Sequence, residues 1–396
     1  MRILYVGMKY DYGKPAQGLS FEHYNFYDSL VHMGHDILYF DFMSLVQQHG
    51  REWMNRRLTE VVQIEQPDLI FTILFTDQFD LLTIRKIMES GIPTVNWFCD
   101  DHWRFDNYSC HWAPCFSWVV TTASSALPKY AAMGYHNVIK SQWGCNHTLY
   151  RHLNIPLQYD VTFVGQPHGD RRHIIDALHK ADIDVSVWGE GWESGRLSQD
   201  AMIEVFNQSR INLNLSNASV SANDTANTSP EVDDQRNGLY HALSRAVVGL
   251  PFGRQIKAMW RGRSVEVASR GERSATSVSD REMGVQYVDQ IKGRNFEVPG
   301  CGGFLLTGQA DNLSEYYDIG KEVVCFHDID DMVQKIRYYL KHEDERIAIA
   351  RAGYERTLRD HTYARRFAEI FDRMGLVEGE RSIDQRKRVA RVEEVR

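Results

Sequence analysis

Apolar residues fall along this chain in two alternating patterns. One is a short continuous run that ends at glycine or at a turn. The other is a stripe at three- and four-residue spacing. The first run is Ile3-Leu4-Tyr5-Val6-Gly7, which predicts a buried strand feeding a loop. Ser20 then stands where a helix N-cap belongs, and Phe21, Tyr24, Tyr27, Leu30 and Val31 recur at helical spacing up to Gly34. Further runs at 35–40, 67–73, 93–98, 116–121 and 138–139 alternate with helical stretches at 51–64, 79–90 and 125–133. Strands and helices alternating on short connections predict a parallel, doubly wound sheet.

The pattern then restarts. Residues 159–165 form another apolar run ending at glycine, followed by a helix marked by Ile174, Ile175 and Leu178. A strand at 185–188, a helix at 202–209 and a strand at 211–215 come next, and the rhythm resumes at 304–307, 323–326 and 329–341. A last long helix is predicted over 343–374. This α/β pattern predicts two Rossmann-like domains in series, over residues 1–156 and 157–355. Residues 217–290 are polar at both ends and read as an insertion in the second domain, a lid, an acceptor loop or a crossing segment. Residues 376–396 read as a charged tail.

Composition narrows the class without naming a function. The 396 residues are 43% apolar and 25% charged, which excludes collagen-like and disordered chains. No apolar run reaches the roughly 18 residues of a membrane span. The opening MRILYVG reads as a strand and not as a signal peptide, so a cytoplasmic protein is expected. The net charge of −8 gives no support to coating nucleic acid. The six cysteines show no paired framework. Cys99, Cys110 and Cys115, with His102 and His111, are spaced too loosely for a zinc ribbon or finger, and no metal site is assigned.

Four stretches carry candidate chemistry. Lys292-Gly293-Arg294 and Glu297, followed by Gly302-Gly303 and a strand, combine cations, a lone carboxylate and flexible backbone. Glycines expose N–H groups to an anion, Lys292 and Arg294 suit phosphate oxygens, and an ionised Glu297 accepts hydrogen bonds from a ribose diol. The same pattern also fits a helix–turn–strand connection with solvated charges. Gly165 and Arg171-Arg172 flank a loop at the carboxyl end of the strand that opens the second domain. Ligands of open α/β sheets sit at such ends, so the arginines clamp a diphosphate or are surface charge at a helix start. Trp188-Gly189-Glu190-Gly191-Trp192 frames a planar base or belongs partly to the core. Asp100-Asp101-His102 ends a strand of the first domain. It supplies a base, holds a metal or caps a loop.

Taken together, MRILYVGMKYDYG at 1–13, DVTFVGQPHGDRR at 160–172, QIKGRNFEVPGCGGFLLT at 290–307 and YYLKHEDERIAIARAGYERTLRDHTYARRF at 338–367 resemble the CgeB-like branch of the GT-B glycosyltransferases. The resemblance implies two Rossmann-like doubly wound domains facing a cleft. The acceptor would bind the first domain and the nucleotide sugar, a UDP-sugar, the second. Residues 356–375 would form a helix crossing back to the first domain. By position, Glu297 looks like the ribose-holding carboxylate, Gly302 and Gly303 like the loop beside the diphosphate, and Arg171 like the phosphate-facing arginine. Asp289 stands eight residues before Glu297, where many retaining relatives carry glutamate. Asp289 and Arg294, with Asp100 or Asp101 on the acceptor side, are the implied catalytic groups. Gly165, Arg172, Gly189, Glu190 and Lys292 join the donor side. The resemblance implies a metal-independent, retaining transfer with no cofactor. The rival readings are an epimerase or phosphorylase on the same fold, a non-catalytic sugar-nucleotide binder, and a glycosyltransferase acting on DNA bases.

Overall fold

A computed structural model describes residues 1–220 and 286–376. Residues 221–285 of the expected insertion and 377–396 of the expected tail lie outside the described residues. The first half holds β1 (Arg2–Gly7), β2 (Asp36–Asp41), β3 (Leu69–Thr72), β4 (Thr94–Phe98), β5 (Trp118–Thr121) and β6 (Val138–Lys140). They pair in parallel in the order β2-β1-β3-β4-β5-β6. The second half holds β7 (Tyr159–Val164), β8 (Ser186–Trp188), β9 (Ser209–Asn214), β10 (Asn217–Val220), β11 (Gln286–Asp289), β12 (Leu305–Gly308) and β13 (Val324–Phe326). Its main sheet is parallel, in the order β13-β12-β9-β7-β8, and β10 pairs with β11.

Both sheets reverse direction of winding beside their first strand, between β1 and β3 and between β7 and β9. Such switch points leave a crevice at the carboxyl ends of the strands. The run-like apolar patterns follow from burial on both faces. In β1, Leu4 and Val6 join one core while Ile3 and Tyr5 join the other.

The long helix expected over 343–374 is two helices, Glu343–Asp360 and Tyr363–Arg373. The break has a physical cause. The Cys145 N–H donates to the His361 carbonyl at 2.8 Å, and the Tyr363 N–H donates to the Cys145 carbonyl at 3.1 Å. Thr362 caps the second helix, accepting from the Arg365 N–H at 3.3 Å. That helix packs Tyr363, Phe367, Ile370 and Phe371 against Ile3, Tyr5, Phe26 and Trp97 of the first half. Each buried side chain of this size contributes about 1.5–3 kcal/mol, so the crossing helix ties the two halves together. A helix at Phe42–His49, capped by Asp41, had no distinct signal in the sequence pattern.

All six cysteines are free, and no helix of the described residues is long and apolar enough to cross a membrane.

Candidate functional site

A cavity of about 360 Å³ opens at the carboxyl ends of β7 and β8. Val164, Gly165, Gln166, Gly189 and Glu190 line it from the second half, and Asp11, Gln17, Phe21 and Tyr24 from the first. Gly189 has φ +150°, and a Cβ there would collide with the Gly165 carbonyl, so the two strand ends touch through backbone alone. Glu190 stays at the rim, where its carboxylate accepts from Gln17 Nε2 at 3.4 Å. An ion pair between Arg196 and Asp11 crosses the same rim.

Arg171 stands at the switch point itself. Its Nη1 donates to the Gln166 carbonyl after β7 at 2.9 Å, and its Nη2 to the Leu215 carbonyl after β9 at 2.8 Å. Its Nε is buried without a partner. Burial, with Arg294 nearby, pushes this guanidinium down to about 10. Arg172 points away from this point. It lies over the Trp192 ring at 4.7 Å and donates to the Gly191 carbonyl. Trp192 in turn donates to the Gly165 carbonyl at 2.8 Å, and Trp188 packs edge-on against Tyr159.

The 290–304 stretch divides by depth. A buried polar network fixes it: Asn214 Nδ2 donates to Asn295 Oδ1 and Thr307 Oγ1, both at 3.0 Å, and the Lys292 N–H donates to Asn295 Oδ1 at 2.9 Å. Arg294, with 26% of its side chain exposed, reaches the cavity wall. Glu297 has none exposed, and it sits one layer behind. Its carboxylate pairs with Arg294 and accepts from the Tyr150 hydroxyl at 2.8 Å. Glu297 therefore positions Arg294 in this conformation.

Gly302 and Gly303 stand apart from both. They precede β12 at its amino end, beside the His152 ring and the Phe206 carbonyl. The carboxyl ends that line the cavity are at the opposite edge of the sheet, so these two glycines serve a strand entry and not the crevice. Asp289 closes β11, and its side chain lies outside the described residues.

A second cavity, of about 330 Å³, lies at the first half's switch point. Met8 after β1, Ile73 and Leu74 after β3, and Asp100 after β4 contribute. Tyr12, Phe75 and Tyr108 give it aromatic walls, and Gln290, Lys292 and Gly293 close it from the second half. Asp11 and Phe21 line both cavities, so the two are adjacent. Asp100 faces this cavity and accepts from Gln290 Nε2 at 3.4 Å. Burial pushes Lys292, which Asp100 and Arg171 flank, down to about 8.

Asp101 does not share the site. It is 1% exposed and its Oδ2 accepts from the Tyr130 hydroxyl at 2.8 Å. Burial raises its carboxyl above the usual range. His102 is also buried, 3.5 Å from Asp311 across the halves. Among the described residues no three His, Cys, Asp or Glu side chains converge on a point that would hold a cation.

Glu22 also lines this second cavity, and the sequence reading passed over it. Ser20 caps its helix, accepting from the His23 N–H at 3.0 Å and donating to the Met8 carbonyl at 2.6 Å. That cap holds Glu22 in the first turn, directly after the β1 loop. The available signal was an acid two residues past a helix cap at the end of the first strand.

The sequence profile of a family described as Glycosyl transferase-like matches residues 171–231 and 238–372. The match runs through the region read as an insertion. No curated protein matches the sequence. Among solved structures, HepE of Anabaena in complex with UDP-glucose superposes with a TM-score of 0.55 at 13% identity, over 95% of this chain and 100% of that one. A glycosyltransferase of Rickettsia africae gives 0.54 at 9% identity, covering 96% and 99%. Sucrose-phosphate synthase of Thermosynechococcus elongatus gives 0.53 at 9% identity, covering 98% and 99%. The architecture and the matched sequence together make this chain a glycosyltransferase of the GT-B fold.

Proposed function

We propose that the protein transfers a sugar from a UDP-sugar to a hydroxyl of a small or glycan acceptor without a metal ion. The observation that carries this reading is a cluster of three desolvated cations at the second switch point: Arg294 on the wall of the first cavity, Lys292 on that of its neighbour, and Arg171 beside both, held by the Gln166 and Leu215 carbonyls. A departing nucleoside diphosphate carries the charge that such a cluster would stabilise, and preorganised cations in a water-poor site do this without rearranging. The adjacent aromatic and acidic cavity suits a polar acceptor with apolar faces. The CgeB-like motif at 160–172 and the Lys292–Arg294 part of the one at 290–307 belong to this same edge, which supports the finer family reading. That family reading favours retention of the anomeric configuration.

The test is incubation with UDP-glucose, UDP-galactose and UDP-N-acetylglucosamine. Binding by calorimetry and release of free UDP are expected with at least one. Epimerase chemistry would interconvert donors without UDP release, and a non-catalytic binder would show heat without turnover.

A further inference from the structure

We propose that Glu22 is the catalytic base that removes the acceptor hydroxyl proton. The inference rests on the transferase reading and deepens it.

Three observations place Glu22 at the reacting centre. It lines the acceptor cavity, whose wall the Lys292-Gly293 turn of the donor half completes. Phe21, its neighbour in the chain, lines both cavities, so Glu22 stands next to the residue they share. Gly293 lies against the Phe21 ring, where a Cβ would approach it to 2.8 Å, so the donor turn and the start of the Glu22 helix are in contact. An acceptor hydroxyl in this cavity sits between Glu22 and a sugar entering from the donor side.

The surroundings suit proton transfer. Burial, with Asp11 and Asp100 nearby, pushes the Glu22 carboxyl up to about 7. The groups facing it are Asp11 and Tyr12 from the loop, Tyr5 from β1, Tyr39 from β2, and Cys99 and Asp100 after β4. Arg104 and Lys292 line the same cavity. Its own backbone N–H favours the ionised form. A base poised near the working pH combines a useful ionised fraction with enough basicity. Asp100 is held by Gln290 and lies beside Lys292, a placement suited to orienting a second hydroxyl. The two carboxylates thus have separate tasks.

The step balances as follows. The acceptor oxygen gives its proton to a Glu22 carboxylate oxygen and forms a bond to the anomeric carbon. The bond from that carbon to the diphosphate oxygen breaks, and its electron pair leaves with UDP, facing Arg171, Lys292 and Arg294.

The experiment follows UDP release from α-linked UDP-sugars by wild type, Glu22→Gln and Glu22→Asp, with water as acceptor where no other is supplied. Glu22→Gln is expected to lower kcat by about 100-fold or more, to keep UDP affinity within about twofold, and to lose the limb on which the rate rises with pH near 7. Glu22→Asp is expected to restore part of the rate. A Glu22→Gln rate within about threefold of wild type overturns the assignment, as does a wild-type rate that does not rise with pH near 7. The pH limb comes from wild type alone, so it stands even where a variant fails to fold. A wild-type protein that binds UDP and releases none from any donor overturns the transferase reading instead, and the base with it.

Discussion

The two halves build their crevices by the same topology and fill them with opposite charge. At the first switch point, Glu22, Asp11 and Asp100 stand close together. At the second, Arg171, Lys292 and Arg294 do. Burial, with like charges nearby, disfavours ionisation of Glu22, Lys292 and Arg171, while the Glu297 carboxylate keeps Arg294 charged. Glu22 rises to about 7, while Lys292 falls to about 8 and Arg171 to about 10. In the function proposed here, the same physical cause poises a proton acceptor on one side and an anion receptor on the other. Topology supplies two equivalent places, and side-chain charge divides the labour between them.

The largest expected break of this contrast is Arg294→Met. It removes a cation from the donor wall and leaves the buried Glu297 carboxylate without its ion partner. Loss of about 100-fold or more in kcat/KM is expected, with a fall in stability of about 3–5 kcal/mol, read by kinetics and urea unfolding.

Glu22→Gln sharpens the acidic side through stability. A carboxyl whose folded pKa is raised from 4.5 to about 7 favours folding while protonated, and loses that contribution as pH rises through 7. Wild type should therefore lose about 2–3 kcal/mol between pH 5 and pH 8 that the variant keeps. Equal pH profiles for the two proteins would contradict the desolvated placement of Glu22.

Lys292→Met should raise the KM for the donor about tenfold and weaken UDP binding in proportion. The smallest effect separates two neighbours in the chain. Asp100→Asn should slow transfer several-fold, roughly threefold to tenfold, because Asp100 faces the cavity. Asp101→Asn should leave kcat within about twofold, because Asp101 is spent on Tyr130 in the core.

The fold was legible because parallel strands buried on both faces read as continuous apolar runs ending at glycine. Ile3 to Gly7 and Tyr159 to Gly165 announced the two halves in this way. The break between the last two helices was hidden, since the backbone bonds at Cys145 that cause it come from a distant segment. Arg171 was legible as a charge beyond a strand's carboxyl end, but nothing in the pattern separates it from Arg172, which turns to Trp192. Glu297 was recognisable as a special carboxylate, but its burial behind Arg294 depends on Tyr150, far away in the chain. Gly302-Gly303 reads chemically like a phosphate loop, and only strand direction places it at the wrong edge. Asp100 and Asp101 are indistinguishable by type; one turn of backbone sends one into the cavity and the other into the core. Glu22 gains its role entirely from what surrounds it, and none of those neighbours is adjacent to it in the sequence.

The division of charge between the crevices is tested most directly by calorimetric titration of UDP into wild type, Arg294→Met, Lys292→Met, Glu22→Gln and Asp100→Asn. The two cation variants should weaken UDP by about tenfold or more, and the two acid variants should change it by less than about threefold. Equal weakening by Glu22→Gln and Lys292→Met, or UDP affinity indifferent to both cations, would contradict it.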